Sequence, residues 1–203
     1  QGAERVLINE IKRSKPSINS VSQARILLVG PVGAGKSSFF NSISSVFHGY
    51  VTSQAISGNS GDGVTTQVLE SFKKQTHESE DGKPLSFIVC DTMGLKAAPG
   101  EGVHVEDICN ILKGHVPDRY QLLILSKVDE ACIYVEKDIQ DVYRSPYIKK
   151  KVSDQLGISV SCIFPVKNYN HETDLEENCD ILLLSTLQQI LHFVNNYFDN
   201  IYD

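Results

Sequence analysis

Arg25-Ile26-Leu27-Leu28-Val29-Gly30-Pro31-Val32-Gly33-Ala34-Gly35-Lys36-Ser37-Ser38-Phe39-Phe40-Asn41 runs from an aliphatic stretch, through a glycine-rich turn, into a helical pattern. The run from Arg25 to Gly30 has no polar alternation, which marks a strand buried on both faces of a parallel sheet. From Lys36 to Phe47 the apolar residues Phe40, Ile43 and Phe47 fall on one helix face. Between them, Gly30 to Ser37 fits GxxxxGK[ST]. Glycines there let backbone N–H groups of Val32, Gly33, Ala34, Gly35 and the residues up to Ser38 converge on phosphate oxygens. Lys36 would neutralise the β and γ phosphates and is the expected catalytic cation, and the Ser37 hydroxyl would ligate Mg²⁺. Four fixed positions match by chance in roughly one chain of this length in a hundred, and the strand before and helix after the loop reduce that further.

Working outward, Val6 to Ser14 reads as an amphipathic helix (Val6, Leu7, Ile8, Ile11) that stops before Pro16, and a polar linker follows to residue 22. Downstream, Gln67–Gln75, Leu85–Asp91, Leu122–Leu125 and Ile158–Phe164 read as strands, and Val103–Lys113 and Ile139–Leu156 as helices. Ile181 to Phe198 closes the chain as a docking helix, with Leu183, Leu187, Ile190, Leu191 and Val194 on one face. Strands alternating with helices predict an α/β fold, a doubly wound and mainly parallel sheet flanked by helices. The organisation expected is a helix and linker at 1–22, then a single domain at 23–203.

The chain has 203 residues, 41% hydrophobic and 22% charged, enough for a sizeable core. A net charge of −6 argues against a nucleic-acid partner. Five scattered cysteines without a CxxC pair suit a reducing compartment, and no long apolar run predicts a membrane span. Cys90 and Cys162 read as core strand residues.

Three further segments point to a particular nucleotide. Asp91-Thr92-Met93-Gly94 ends an aliphatic strand, where the carboxylate reaches Mg²⁺ through water and the Gly94 N–H would meet the γ-phosphate. Ser126-Lys127-Val128-Asp129 follows another strand. A carboxylate at Asp129 accepts from guanine N1–H and N2–H₂, which adenine cannot supply, and Lys127 would cover base and ribose. Phe164-Pro165-Val166-Lys167-Asn168 offers backbone amides to the guanine O6, and Val64-Thr65-Thr66 offers a hydroxyl, from Thr65 or Thr66, that closes over Mg²⁺ and phosphate.

In this order the motifs resemble a GTPase G domain over nearly the whole chain. The stretch Arg25–Ser42, with Gly114-His-Val-Pro-Asp-Arg-Tyr120 and Phe164-Pro-Val-Lys-Asn-Tyr169, is similar to the interferon-induced 44 / 44-like family. The resemblance implies a cytoplasmic protein of innate antiviral responses that binds GTP or GDP with Mg²⁺. It also implies a homodimer or a protein effector as partner, and a TLDc-type region ahead of the G domain. Three positions depart from the G-domain pattern: Ser126 for asparagine, Leu95 where the water-orienting glutamine stands, and Val32 for a loop glycine. The loss of the amide at 126 predicts a weaker guanine pocket, and Leu95 predicts slow hydrolysis or a nucleotide-gated module without turnover. A P-loop kinase is disfavoured by the few arginines (Arg5, Arg13, Arg25, Arg119, Arg144). Spacing carries one more expectation. A strand begins at Leu122 directly after the polar Pro117–Gln121, with no helix delivering it, so an internal segment is expected to be missing between 121 and 122.

Overall fold

A computed structural model describes residues 2–30, 32–52, 85–91, 122–143 and 146–202. Helix α1 (Ala3–Arg13) is followed by strand β1 (Ala24–Leu28) and helix α2 (Lys36–His48). Strand β2 (Phe87–Asp91) and strand β3 (Leu123–Leu125) come next, then the short helices α3 (Val128–Ala131) and α4 (Ile133–Lys137). A 3₁₀ turn at Ile139–Tyr143, helix α5 (Pro146–Leu156) and a 3₁₀ turn at Val160–Cys162 lead to strand β4 (Ile163–Pro165). The long helix α6 (Glu177–Tyr202) follows.

The expected parallel pairing is present. β1 pairs parallel with β2, Ala24 opposite Phe87 and Leu28 opposite Asp91, with α2 between the two strands in chain order. β3 pairs parallel with β4, Leu123 opposite Ile163. Among the described residues these are two separate two-stranded sheets, in place of the single sheet that the alternation suggested. Mixed helices and parallel strands define an α/β fold.

One core joins the two sheets. Ala24, Ile26 and Leu28 of β1 and Phe87 and Val89 of β2 are buried with Phe39, Phe40, Ile43 and Val46 of α2. From α6 come Leu183, Leu187, Ile190 and Leu191, the apolar face read from the sequence, with Val194 partly buried beside them, and Leu184 is buried in addition. Ile124 of β3 packs against the same cluster and Val166 is buried within it. α1 lies along α6 and contributes the buried Ile11 with the partly buried Leu7 and Ile8. Val6 is 54% exposed, because it sits a turn-fraction away from the 7–8–11 stripe. A smaller cluster gathers Val128, Val135, Ile139, Val142 and Leu182, so α6 serves both cores.

Two boundaries correct the sequence reading. The last strand begins at Ile163, not Ile158, because the Cys162 N–H turns back to the Ser159 carbonyl at 2.9 Å and forms a 3₁₀ turn. Cys162 is accordingly half-buried at the end of that turn and not a core strand residue. The strand expected at 67–75, the helix expected at 103–113 and the junction at Gln121 lie outside the described residues.

Candidate functional site

The glycine loop leaves β1 and enters α2. Gly33 and Gly35 stand at φ +78° and +82°, where a side chain is strained, so these two positions depend on glycine. Among the described residues no side chain caps the N-terminus of α2 by a hydrogen bond. Its first-turn N–H groups point out of the helix beside the positive end of the helix dipole, the local arrangement that favours an anion. Lys36 folds back over the loop, its Nζ donating to the Gly30 carbonyl at 3.0 Å. Val32 is 41% exposed at the loop's outer edge.

Two side chains from distant parts of the chain hold the loop from behind. Ser126, just past β3, donates through Oγ to the Ala34 carbonyl at 2.8 Å. Asn168, past β4, donates through Nδ2 to the Gly35 carbonyl at 3.3 Å. A Cβ at Gly35 would meet Asn168 Nδ2 at 3.0 Å and Ser126 Oγ at 3.2 Å, so a side chain there would crowd both contacts as well as strain φ. Ser126 thus reaches the glycine loop through its hydroxyl. Asn168 Oδ1 is a buried acceptor without a partner among the described residues.

Lys127 has φ +58°, the sole non-glycine residue in the left-handed region among those described, and stands immediately before α3. That conformation is sparsely populated for a side chain and costs about 1 kcal/mol or more. It sends the Lys127 side chain outward, where Nζ lies 3.3 Å from Glu130. Asp129 sits in the first turn of α3, half-buried. The Val166 N–H donates to the Leu125 carbonyl at 2.8 Å, tying the residues after β4 to the end of β3. Partial burial works against charge on Lys167, but Glu172 at 3.0 Å outweighs it and holds the ammonium pKa up. Burial likewise opposes ionisation of Glu172. The Asn170 N–H and Lys167 prevail and hold that carboxyl down at about 2.

Behind the site lies a second polar group. Ser42 Oγ of α2 donates to the Ser38 carbonyl at 2.8 Å and accepts from the Tyr169 N–H at 2.8 Å. The Tyr169 hydroxyl lies 2.7 Å from Asp180 Oδ1 and 3.2 Å from the Glu176 carbonyl, and it accepts from the Glu176 N–H at 2.8 Å. Asp180 is 2% exposed. Its desolvation, with Glu4, Glu176 and Glu177 nearby, outweighs the Tyr169 bond and raises its pKa to about 6. Burial also pushes the Cys179 thiol up to about 12.

Of the residues expected at the site, the structure gathers Gly35, Ala34 and Ser126 around the head of α2, beside Lys36 and Ser37. Asp91 ends β2 in register with Leu28, on the same sheet end as the loop. Thr65 and Gly94 lie outside the described residues. The side chain of Asn168 was not expected to act. Its one sequence signal is a polar residue in the segment leaving an apolar strand.

The class so defined is a parallel α/β protein whose first strand delivers a braced glycine loop to a helix N-terminus. The chain belongs to the interferon-induced protein 44 / 44-like family. It is 31% identical to interferon-induced protein 44-like of Homo sapiens over 260 aligned positions, covering 96% of this chain and 57% of that protein. It is 30% identical to interferon-induced protein 44 of Mus musculus, covering 96% of this chain and 60% of the relative. The chain thus spans somewhat more than half the length of these curated relatives. No family model and no solved structure matches it. The alignment is longer than the chain. Since 96% of 203 residues is about 195, about 65 of the 260 positions hold a residue of the relative and none of this chain.

Proposed function

We propose that this chain binds guanine nucleotide, GTP or GDP with Mg²⁺, as the nucleotide-binding part of an interferon-induced cytoplasmic protein of innate antiviral defence, and that it hydrolyses GTP slowly. The observation that carries the reading is the bracing of the loop. Ser126 and Asn168 hold the Ala34 and Gly35 carbonyls, and a glycine loop fixed in this way at a helix N-terminus is the arrangement that would cradle phosphate. Lys36 lies over the same loop, and Lys127 and Asp129 follow the strand whose end braces it. A left-handed Lys127 is the kind of local strain that clusters at ligand sites.

The residues present fit Mg²⁺ at the phosphates. Ser37 in the first turn of α2 and Asp91 at the end of β2 would hold it, with Thr65 as the third group, and the bound ion would neutralise charge between the phosphate oxygens. Lys36 supplies the cationic contact that strengthens as charge develops on the γ-phosphate. Leu95 cannot orient an attacking water, which supports slow turnover. It equally supports the second reading, a nucleotide-gated interaction module in which binding alone recruits the partner, a homodimer mate or an effector protein.

Titration calorimetry tests both the class and the base. GTP should bind more tightly than ATP. Lys36→Ala should lose at least about a hundredfold in GTP affinity, the scale of a charge-assisted phosphate contact. Asp129→Asn, with one donor and one acceptor, should prefer XTP. Equal affinity of Lys36→Ala and the parent chain for GTP would overturn the reading.

A further inference from the structure

The segments suited to a base and the loop suited to phosphate lie far apart in the chain, and two side chains join them. Ser126, directly before Lys127, donates to the Ala34 carbonyl at 2.8 Å. Asn168, directly after Lys167, donates to the Gly35 carbonyl at 3.3 Å. The two acceptors are consecutive carbonyls of the glycine loop. A Cβ built on Gly35 would lie 3.0 Å from Asn168 Nδ2 and 3.2 Å from Ser126 Oγ, so donors that follow two different strands converge on one glycine. The Gly35 carbonyl also accepts the Phe39 N–H at 2.8 Å, which ties the same point to the start of α2. The asparagine that the G-domain pattern carries is Ser126 here, and the amide that reaches the loop stands at 168 instead.

Each donor is itself anchored. β3 and β4 pair in parallel, and the Val166 N–H donates to the Leu125 carbonyl at 2.8 Å, so the residues ahead of Ser126 and Asn168 are fixed to each other. On the other side of Asn168, the Tyr169 N–H donates at 2.8 Å to Oγ of the fully buried Ser42. Lys127 keeps its left-handed backbone next to Ser126, a conformation that persists only where the surroundings impose it. The loop, by contrast, turns on Gly33 and Gly35, and glycine has the most backbone freedom to lose. Two side chains thus pin a loop of high intrinsic freedom to two anchored strand ends.

Such pinning matters for a ligand that spans both parts. With two half-sites at a fixed spacing, the second contact of a bridging ligand forms at high effective concentration. With a loose spacing that gain is lost, although neither half-site has changed. A phosphate chain alone, or a nucleoside alone, is indifferent to the spacing.

We propose that Ser126 and Asn168 are positioning residues of the nucleotide site, a two-point latch that fixes the glycine loop relative to the segments 127–129 and 166–167. The latch makes phosphate and base recognition one event. This inference rests on the nucleotide-binding reading and adds to it the residues that couple its two halves.

The test measures GTP, inorganic tripolyphosphate and guanosine, all with Mg²⁺, by displacement of a fluorescent GTP analogue. Ser126→Ala should weaken GTP by about tenfold, and tripolyphosphate and guanosine each by less than about threefold. Ser126→Thr keeps the hydroxyl and should stay within about threefold of the parent for all three ligands. Ser126→Ala combined with Asn168→Ala frees both carbonyls, and should cost GTP about a hundredfold while tripolyphosphate again changes by less than about threefold. Equal losses of GTP and tripolyphosphate in Ser126→Ala would make the hydroxyl a support of the loop alone and overturn the latch. Equal losses of GTP and guanosine would make Ser126 a base contact and overturn it too. Should Ser126→Ala not fold, Asn168→Ala and the parent decide: an equal loss of GTP and tripolyphosphate in the former, or a parent that binds GTP no more tightly than tripolyphosphate, overturns the latch and leaves phosphate binding standing. A parent chain that binds none of the three ligands overturns the nucleotide-binding reading, and the latch with it.

Discussion

Asn168 and Tyr169 are consecutive residues with opposite bonding. The Tyr169 hydroxyl is saturated by Asp180, the Glu176 carbonyl and the Glu176 N–H, while its backbone N–H is fixed by Ser42. Asn168, facing the glycine loop, makes one long hydrogen bond and leaves a buried oxygen without a partner. Folded proteins satisfy nearly all buried polar atoms, so a complete network identifies a structural joint and an orphan acceptor calls for a partner. The boundary between scaffold and site therefore falls at a single peptide bond. Tyr169 locks the head of α6 to α2. Asn168 holds the loop by one carbonyl and leaves its oxygen without a partner among the described residues.

The strongest way to probe the scaffold half is through Asp180. Its carboxyl pKa is raised to about 6, from 3.8, so between those values the folded protein keeps a proton that the unfolded chain has released. Stability from this group is therefore full below about pH 4, falls as pH rises, and levels off above about pH 6. Two units correspond to up to about 3 kcal/mol. A proton on Asp180 also resolves a local conflict. The Tyr169 hydroxyl has one hydrogen and two acceptors in reach, and a protonated Asp180 could donate to the hydroxyl, freeing that hydrogen for the Glu176 carbonyl. Asp180→Asn should flatten this part of the pH profile and be at least as stable as the parent at pH 7, by denaturant unfolding at stepped pH. Glu172, held at about 2, acts in another window, losing its contribution only as pH falls below about 4.5. An Asp180→Asn profile that keeps the parent's slope between pH 4 and 6 would assign that slope to other groups.

Removing the hydroxyl itself is next in size. Tyr169→Phe keeps the ring but strips the Glu176 N–H and Asp180 of their shared partner, at a cost of about 2 kcal/mol in unfolding free energy. GTP affinity should change less than threefold at a temperature where both proteins are folded. A larger loss of affinity would place Tyr169 inside the site and erase the contrast with Asn168.

How far this division could be read from sequence depends on the range of the contacts. The aliphatic run at 25–29 and the 183–187–190–191 stripe on α6 are local patterns, and each names its element; the stripe also names its buried face, whereas the run suggests burial on both faces and Leu27 and Val29 are each 40% exposed. The apolar residues of Ile158–Phe164 look strand-like throughout, but the Ser159 carbonyl accepts from the Cys162 N–H and the strand starts only at Ile163. The glycine loop was legible, since both positive-φ positions are glycines in a spaced motif. Ser126 was read only as the loss of an amide, since the hydroxyl's reach to the Ala34 carbonyl depends on how closely the end of β3 approaches the loop. Asn168 was harder still. Its partner Gly35 lies 133 residues away, and no periodicity encodes a contact of that kind.

Asn168→Ala should have the smallest effect on stability and so gives the sharpest test of the ligand side. The substitution deletes one hydrogen bond of 3.3 Å, with an expected cost of no more than about 1 kcal/mol, and it removes the unpaired oxygen, whose burial is itself unfavourable. The two terms oppose each other, so Tm should shift by only a few degrees in either direction. Binding should not be so balanced. If Oδ1 accepts a hydrogen bond once nucleotide is seated, Asn168→Ala loses that bond as well as the hold on Gly35, and GTP affinity should drop by about tenfold while Tm scarcely moves. Asn168→Asp separates the two contributions. It keeps an acceptor, cannot donate to the Gly35 carbonyl, and adds a negative charge near the phosphates, so its affinity should fall below that of the alanine variant. Calorimetry beside thermal melts on all three proteins reads both quantities. Equal GTP affinity across the series would make Asn168 part of the scaffold, like Tyr169, and move the edge of the site back to Ser126.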